Sequence, residues 1–276
     1  MAELPHAGLV MPVHMGARIP VLMYHEVSPR PHPAFRRYTV TERAFSRQMR
    51  WLASFNYHPI DMDTLVRARS GRGSLPSRPV VITFDDGLQG SVDHAVPTLS
   101  AHGFTAVFFL VAGCMGETTR WLRPELGIEL PVMRWETARA LVAHGFQCGA
   151  HTMTHPRLTG VDAATCRAEL VESRTRIERE LGRPVEHLAY PYGAFDAGVR
   201  QAAGQAGYLT ACSTLPGVSG PDDDRLALHR VPVYGGESLL DFASRLRTAQ
   251  ALPERLRHAL RRAARRLTRG SDLQLR

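Results

Sequence analysis

The sequence contains no lysine, few cysteines and no long apolar run. Its 34 basic side chains are therefore all arginines; against 26 acidic residues they leave a net charge of +8, and they indicate a coding bias more than a function. No stretch of eighteen apolar residues is present, so no membrane span is expected. The four cysteines lie far apart without a CxxC pair, and we expect buried thiols rather than a disulfide framework: Cys114, Cys148, Cys166 and Cys212.

The first twenty residues also lack the features of a secretion signal. They have no basic start, and their short apolar stretch is broken by Pro12 and His14. We therefore expect a cytoplasmic protein. Its 276 residues, of which 44% are hydrophobic, are enough for one large domain or two small ones.

Four stretches of the chain repeat one pattern: an amphipathic segment, an Asn or Gly, an aromatic residue and an apolar run. The Asn or Gly is expected to close a helix in the left-handed conformation, at Asn56, Gly103, Gly145 and Gly207. The apolar spacing of residues 42–55 predicts a helix, and a longer helix after Val161 is expected to stop at Gly182.

The apolar runs between these helices are nearly continuous, as in parallel strands that are covered on both sides. Strands that alternate with helices imply βαβ units and an α/β fold, and about seven of them indicate a TIM-like barrel, with an open doubly wound sheet as the alternative. The candidate strands are residues 20–24, 80–84, 105–111, 146–150, 185–190, 209–213 and 228–233. We expect a tail over residues 1–18, the barrel over 19–240 and a basic amphipathic helix over 241–276.

Two long segments interrupt the alternation. Residues 28–40 follow the first predicted strand, and residues 113–135 follow the third. Both lie where βα loops form the mouth of a barrel, and loops of this length often serve as lids or walls of a binding site.

Polar residues follow four of the predicted strands directly. His25 follows the first strand, Asp85 and Asp86 follow the second, His151 follows the fourth and Tyr192 lies just after the fifth. Because the strands of a parallel barrel all point one way, these residues are expected to meet at one rim.

The segment HTMTH places His151 and His155 four residues apart. Alone, such a pair is also consistent with two surface histidines, but on a helical turn the spacing puts both imidazoles on one face, as in zinc-binding pairs. Together with Asp86 they make three ligands with open positions, which is typical of a catalytic metal site. Asp85 is then left beside the cation to accept a proton from water, whose pKa a bound metal lowers to about 7.

These motifs resemble those of the polysaccharide deacetylases of carbohydrate esterase family 4. TFDDG matches the family's first motif, HTMTH matches its second, and YPYG at residues 190–193 matches the core of its third; the resemblance covers roughly residues 19–235. It implies a distorted (β/α)7-type barrel and a metal-dependent hydrolase that removes acetyl groups, foremost N-acetyl groups, from a polysaccharide or glycan precursor. Zn²⁺ is the metal most often assumed.

The resemblance also implies roles for individual residues. Asp85 is the general base, and Asp86, His151 and His155 are the metal ligands. The loop of Pro191, Tyr192 and Gly193 binds substrate, with a backbone N–H near Tyr192 helping to hold the oxyanion.

One departure from the family pattern concerns the arginine that normally precedes the third motif and holds the base. Ala189 stands in its place, and Arg230 is the candidate substitute. The segment VLMYHEV in turn resembles the exopolysaccharide and poly-N-acetylglucosamine deacetylases, whose motif order is rearranged. In that subgroup the histidine of this segment is the general acid, which implies the same role for His25.

Three other functions remain open on the sequence. Two histidines and a carboxylate also describe non-haem iron oxygenases, although those sites normally lie on β-sandwich or jelly-roll scaffolds. A hydrolase of small-molecule amides on the same fold is a second alternative, and a catalytically silent carbohydrate-binding module is a third. The intact base Asp85 argues against the silent module, because a binding protein has no use for it.

The C-terminal segment is rich in arginine. Ten arginines lie between Arg245 and Arg276, against Glu254 and Asp272, and leucines recur along one side of the segment: Leu252, Leu256, Leu260 and Leu267. A basic amphipathic helix over residues 250–276 is expected to contact an anionic membrane, which would place the protein at the inner membrane face. Binding of an acidic partner or of nucleic acid, or simple packing on the barrel, are alternatives, although no specific nucleic-acid recognition is expected.

Overall fold

The computed structural model describes residues 17–250 and Leu256, and in them the chain alternates short strands with helices. The strands are β1 (Val21–Tyr24), β2 (Glu26–Val27), β3 (Thr39–Val40), β4 (His58–Pro59), β5 (Pro79–Phe84), β6 (Val107–Leu110), β7 (Gln147–Ala150), β8 (His187–Ala189), β9 (Thr210–Pro216) and β10 (Leu228–Pro232). The helices are α1 (Glu42–Ser54), α2 (Met62–Arg69), α3 (Gln89–Ala101), α4 (Arg123–Leu126), α5 (Trp135–Ala143), α6 (Ala163–Leu181), α7 (Ala197–Gln205) and α8 (Leu239–Thr248).

Seven of the strands close into a parallel barrel. Around the barrel the order is β1, β10, β9, β8, β7, β6 and β5, and β5 pairs with β1 to complete the ring. The short strand β4 pairs with the first two residues of β5, and β2 pairs with β3 in a separate two-stranded sheet. The predicted (β/α)7-type barrel is confirmed, and the open doubly wound sheet is wrong because the β1–β5 ladder leaves no free edge.

The predicted strand segments and helix ends also match the structure. Each of the seven candidate segments coincides with one barrel strand, although β5 starts one residue before its segment and β9 runs three residues past its own; α1 covers nearly all of residues 42–55. The expected left-handed closures are present, with φ between 54° and 89° at Asn56, Gly103, Gly145 and Gly207. Gly182 ends α6 with φ 66°, as predicted.

The barrel interior is apolar at the amino-terminal end of the strands. Its residues form one cluster with α2, which covers that end of the barrel: Val21, Val81, Val107, Phe109, Ala189, Cys212 and Leu228 with Ile60, Met62 and Leu65. A buried hydrogen-bonded chain also attaches α2, because His187 lies 2.7 Å from an Asp63 oxygen and 2.8 Å from the Thr210 hydroxyl. Apart from this chain, the α2 end of the interior is apolar, and the acidic residues and histidines that the sequence singled out lie at the opposite end.

Helix α8 packs on the outside of the barrel. Its Phe242 is fully buried and meets the Trp51 ring of α1 edge-on at 6.0 Å. The expected division between a barrel over 19–240 and a helix over 241–276 thus falls inside α8. The tail over residues 1–18 and the basic segment over 250–276 lie almost wholly outside the described residues, so their boundaries, the membrane contact and the cytoplasmic location stay predictions.

All four cysteines are buried free thiols, as expected. Within residues 17–250, no helix combines the length and the apolar character needed to cross a bilayer.

Gly149 of β7 gives a test of how tightly the barrel interior is filled. A methyl group at this position would lie 2.6 Å from the Phe109 ring and 2.8 Å from the His187 carbonyl oxygen. We expect Gly149→Ala to lower the free energy of unfolding by about 1–3 kcal/mol, because the ring or the strand must shift. Urea denaturation measures the change.

Gly160→Ala is the matched control, since a methyl group there would meet nothing within 4 Å. We expect its free energy of unfolding to stay within about 0.5 kcal/mol of wild type. Equal effects of the two substitutions would contradict the close packing of Phe109 on β7.

Candidate active site

The Asp-Asp pair ends β5 at the carboxyl-terminal rim of the barrel. Asp85 continues the ladder, since its N–H donates to the Tyr24 carbonyl at 3.0 Å, whereas Asp86 turns the chain with φ 72° and Gly87 follows with φ 66°. Both side chains are almost fully buried. The turn aims the two adjacent carboxylates at different partners, which separates their negative charges.

The Asp85 carboxylate is bound by Arg230 of β10. The guanidinium nitrogens Nη1 and Nη2 each donate to one carboxylate oxygen at 2.7 Å, and Nε donates to the Ser213 carbonyl at 2.8 Å. Arg230 is fully buried. The contact that the sequence suggested for Arg230 is therefore present, and it comes from a strand 145 residues away along the chain.

This pairing controls the charge of Asp85. Burial by itself would raise the pKa of the Asp85 carboxyl, but the Arg230 guanidinium and His151 outweigh it and hold that pKa below its usual value. Asp85 is consequently ionised at neutral pH and able to accept a proton.

Asp86 faces the two histidines of the HTMTH segment. Its Oδ1 lies 3.5 Å from His151 Nε2 and 3.3 Å from His155 Nε2, and one ligand atom from each of the three residues lies within 4.8 Å of the others. Burial would raise the pKa of Asp86, but the two imidazoles hold it well below its usual range. Burial also lowers the pKa of His155, which favours a neutral ring.

These three residues fit a divalent cation. Zn²⁺ binds nitrogen and oxygen at about 2.0–2.2 Å in a tetrahedron, which sets neighbouring ligand atoms about 3.3 Å apart, close to the two Asp86–histidine distances. Among the described residues, Asp86 Oδ1 is buried and makes no well-formed hydrogen bond, with the two imidazole nitrogens near it at 3.3 and 3.5 Å. Such an oxygen is costly to leave unpaired, and a cation between it and the imidazoles would satisfy it.

The loop between the histidines differs from the sequence prediction. Residues 151–155 form no helical turn; instead Thr152 and His155 have positive φ of 66° and 64°. The two rings still converge because the chain doubles back on itself. His151 Nδ1 lies 2.7 Å from the Ala189 carbonyl, which directs Nε2 toward Asp86, and the His155 ring stacks on Trp121 at 4.6 Å.

His25 lies in the same cleft, at the end of β1. Its ring contacts Tyr38 at 5.1 Å between centroids, and its backbone carbonyl accepts from the Ser91 hydroxyl at 2.6 Å. Burial lowers the pKa of His25, and the carboxylates of Asp86 and Asp85 offset this only in part. His25 therefore lies at the rim of the barrel where the sequence predicted it.

The third predicted segment, residues 190–193, forms a tight turn beside the histidines. Tyr192 adopts φ 58°, and a methyl group on Gly193 would lie 2.1 Å from the Thr214 hydroxyl, so glycine is required there. Pro191 has no N–H, and the Gly193 N–H already donates to the Tyr190 carbonyl at 2.8 Å. The Tyr192 N–H is therefore the candidate donor to an oxyanion, while Pro191 and Gly193 shape the turn.

Both long insertions contribute to the walls of the cleft, as expected, and supply six of the sixteen described residues that line it. The cleft has a volume of about 410 Å³. Residues 28–40 contribute Phe35 and Tyr38, and residues 113–135 contribute Trp121, Leu122, Glu125 and Leu126. The sequence located these loops but not the residues that face the site. It also did not identify Arg157, whose guanidinium lies 4.6 Å over the Tyr192 ring, or Tyr234.

The Asp85–Arg230 pair yields a double-mutant test. Arg230→Met leaves Asp85 buried without its partner, and we expect the free energy of unfolding to fall by about 3–5 kcal/mol. Asp85→Asn combined with Arg230→Met should cost less than the sum of the two single variants, because no buried charge is left unpaired. Denaturant unfolding in excess chelator measures all four proteins.

The same variants predict a pH dependence. In wild type the pKa of Asp85 is lowered, so its stabilisation is present above its unfolded pKa and is lost as pH falls through its folded value. Without Arg230, burial raises that pKa, and the protonated form becomes the favoured one. The difference in the free energy of unfolding between wild type and Arg230→Met should therefore narrow as pH falls from neutral toward the ordinary Asp pKa, about 4. The pairing would be contradicted if this difference in the free energy of unfolding did not change with pH and if the effects of the two single substitutions summed to that of the double variant.

The sequence also matches known proteins. Residues 72–211 match the family model described as polysaccharide deacetylase, a segment that contains the Asp-Asp pair, both histidines and Tyr192 but neither His25 nor Arg230. The poly-beta-1,6-N-acetyl-D-glucosamine N-deacetylase of Escherichia coli K12 is 27% identical over 256 residues, which cover 80% of this chain and 37% of that protein. YxkH of Bacillus subtilis, provisionally assigned as a polysaccharide deacetylase, is 25% identical over 222 residues, 80% of this chain and 74% of that one.

Solved structures show the same fold. The Streptococcus pyogenes deacetylase PplD, determined in complex with acetate, superposes with a TM-score of 0.72 at 21% identity over 85% of this chain and 98% of that one. IcaB from Ammonifex degensii gives a TM-score of 0.71 at 24% identity over 84% and 97% of the two chains. From the family match over half its length, with the Asp-Asp and histidine motifs assembled at one rim of the barrel, the chain belongs to the polysaccharide deacetylase family.

Proposed function

We propose that this protein is a metal-dependent deacetylase that hydrolyses N-acetyl groups of a polysaccharide or of a glycan precursor. The observation that carries the proposal is the arrangement at the end of β5. One carboxylate, Asp85, is held by a buried arginine, and the next, Asp86, faces two histidines in a metal-sized cluster. Zn²⁺ is the cation we expect from this donor set, and when bound it would activate water and polarise the acetyl carbonyl.

Asp85 is the residue we assign as general base. Its two oxygens each accept one hydrogen bond from Arg230, which leaves a further lone pair on each for the proton of the attacking water. Arg230 keeps the carboxylate ionised and fixes its orientation. A base that is already charged and rigid meets the geometric requirement for proton transfer.

His25 is the residue we assign as general acid. An acetamide nitrogen is a poor leaving group, so it must receive a proton as the C–N bond breaks. The lowered pKa of His25 makes its protonated form a stronger acid while reducing the protonated fraction at neutral pH. The Tyr192 N–H would stabilise the negative charge that develops on the carbonyl oxygen.

The cleft supports a carbohydrate as substrate. The aromatic residues Tyr38, Trp121 and Tyr234 line the cleft and supply apolar surface for the C–H groups of a sugar ring, while Glu125 and Arg157 supply polar groups for its hydroxyls. A volume of about 410 Å³ lies within the usual range for a small-ligand site. Two relatives are named as deacetylases of glycans, the poly-beta-1,6-N-acetyl-D-glucosamine N-deacetylase of Escherichia coli and the chitooligosaccharide deacetylase of Sinorhizobium fredii.

The alternatives account for less of the site. The oxygenase reading requires only the two histidines and Asp86, and it gives no role to the buried Asp85–Arg230 pair. A silent binding module likewise has no need of an ionised carboxylate beside the three candidate metal ligands. A hydrolase of small amides uses the same residues, and only its substrate distinguishes it.

Acetate release tests the function and the separate roles of the two carboxylates. With Zn²⁺ added, we expect acetate from N-acetylglucosamine oligomers of two to six units. Asp85→Asn should lower turnover by at least about 100-fold and still bind Zn²⁺, because the base is lost and the ligands are not. Asp86→Ala should lose Zn²⁺ itself, as measured by metal analysis after dialysis.

Asp93→Asn is the matched control, because Asp93 is an exposed aspartate on α3. It should retain wild-type activity and metal content. Release of acetate from small N-acetyl amides but from no glycan would favour the small-amide hydrolase, and near-normal turnover of Asp85→Asn would contradict the role of base.

Two substrates that differ in leaving group test the assignment of His25. His25→Ala should lower N-deacetylation by about 100- to 10,000-fold, because the departing nitrogen lacks its proton. Hydrolysis of 4-nitrophenyl acetate should fall far less, since nitrophenolate leaves without protonation. Asp85→Asn should lose both activities.

His58→Ala, which changes an exposed histidine of β4, serves as the control. Equal losses of His25→Ala on the two substrates would show that His25 acts on binding or folding and not as an acid.

A further inference from the structure

The HTMTH loop is held from outside the cleft by Glu169 of α6. One carboxylate oxygen, Oε2, accepts hydrogen bonds from the backbone N–H groups of Met153 at 2.8 Å and Thr154 at 2.9 Å. The other, Oε1, accepts from the Thr154 hydroxyl at 2.6 Å. Glu169 is only 9% exposed, and both of its oxygens bind the segment between the two histidines.

The opposite side of this loop is held by the chain that follows β6. The carbonyls of Thr152 and Met153 accept from the N–H groups of Ala112 at 3.0 Å and Gly113 at 2.7 Å. A methyl group on Gly113 would lie 2.4 Å from the Met153 oxygen, so this approach requires glycine. The backbone of the loop therefore donates to α6 and accepts from residues 112–113.

The loop needs such support because its conformation is unfavourable by itself. Thr152 and His155 both have left-handed φ, which is unfavourable for residues other than glycine and persists only where the surroundings enforce it. One local bond contributes, from the His155 N–H to the Thr152 hydroxyl at 3.1 Å.

The two histidines differ in how their rings are held. His151 is oriented by the bond between its Nδ1 and the Ala189 carbonyl. His155 Nδ1 is buried without a hydrogen-bond partner among the described residues. No hydrogen bond at Nδ1 therefore orients the His155 ring, whose direction depends on the loop backbone, on stacking against Trp121 and on edge-on contacts with the rings of Tyr192 and His151.

We propose that Glu169 is a positioning residue of the metal site. By holding residues 153 and 154 it keeps His155 Nε2 at 3.3 Å from Asp86 Oδ1, where both can bind one cation. Groups that orient metal ligands in this way typically contribute 10- to 100-fold to metal affinity. The inference rests on the metal site of the proposed function and adds a residue that never touches the metal or the substrate.

Zn²⁺ affinity of the full-length chain tests this role. We expect Glu169→Ala to bind Zn²⁺ about 10- to 100-fold more weakly than wild type in competition with a chromogenic chelator. Glu172→Ala, an exposed glutamate three residues further along α6, is the matched control and should keep wild-type affinity. Thermal unfolding in excess chelator reports the stability of the metal-free protein separately.

A merely structural role gives a different result. Glu169→Ala would then lower the melting temperature in chelator while its Zn²⁺ affinity stayed within about twofold of wild type, and that result would overturn the proposal. Asp86→Ala in the same titration separates the two claims. If Asp86→Ala binds Zn²⁺ with wild-type affinity, the proposed metal site itself is wrong. If Asp86→Ala loses Zn²⁺ but Glu169→Ala keeps wild-type affinity, only the positioning role of Glu169 is wrong.

Glu169→Gln carries the test if the alanine variant does not fold. The amide retains an oxygen for the two N–H donors but replaces charge-assisted bonds with weaker neutral ones. We expect a Zn²⁺ affinity at least about threefold below wild type and a changed visible spectrum of the Co²⁺-substituted protein, whose bands report ligand geometry. Wild-type affinity together with a wild-type spectrum would overturn the proposal.

Discussion

Asp85 and Asp86 are adjacent in the chain at the end of one strand, but the site requires each carboxylate to face a different set of partners. The structure achieves this with the positive φ at Asp86, which sends one side chain to Arg230 and the other to a pair of imidazoles. Each carboxylate is buried and each has its own compensating partners, so both stay ionised. All other features of the site depend on this division.

The closed parallel barrel explains how the partners of Asp85 and Asp86 come together from distant parts of the chain. Its strands all deliver their ends to one rim, so β1, β5, β7 and β8 each bring a functional group with little extra chain. Closure through the β1–β5 and β1–β10 ladders then brings Arg230 within reach of Asp85. The apolar half of the interior lies toward α2, which reserves the other half for charges that are paired or face the cleft.

Much of this arrangement could be predicted from the sequence because strand ends and motif spacing are local signals. Asp85, His151 and His25 each follow an apolar run directly, and a parallel barrel makes such positions converge. The shape of the HTMTH loop was not predictable, since i, i+4 spacing suggests a helix and the actual turn depends on bonds from Glu169 and Gly113. Glu169 did leave a signal, as a charged residue on the same helix face as Cys166, Leu170 and Ile177. Trp121 lies in an insertion whose course no periodicity describes.

The central claim is that Asp86, His151 and His155 share one cation while Asp85 stays outside its coordination. Anomalous diffraction at the zinc absorption edge from crystals grown with Zn²⁺ tests it most directly. The account predicts one strong peak within about 2.0–2.2 Å of Asp86 Oδ1, His151 Nε2 and His155 Nε2, with Asp85 still bound to Arg230. A peak bonded to Asp85, or none at these three residues in a protein saturated with Zn²⁺, would contradict it.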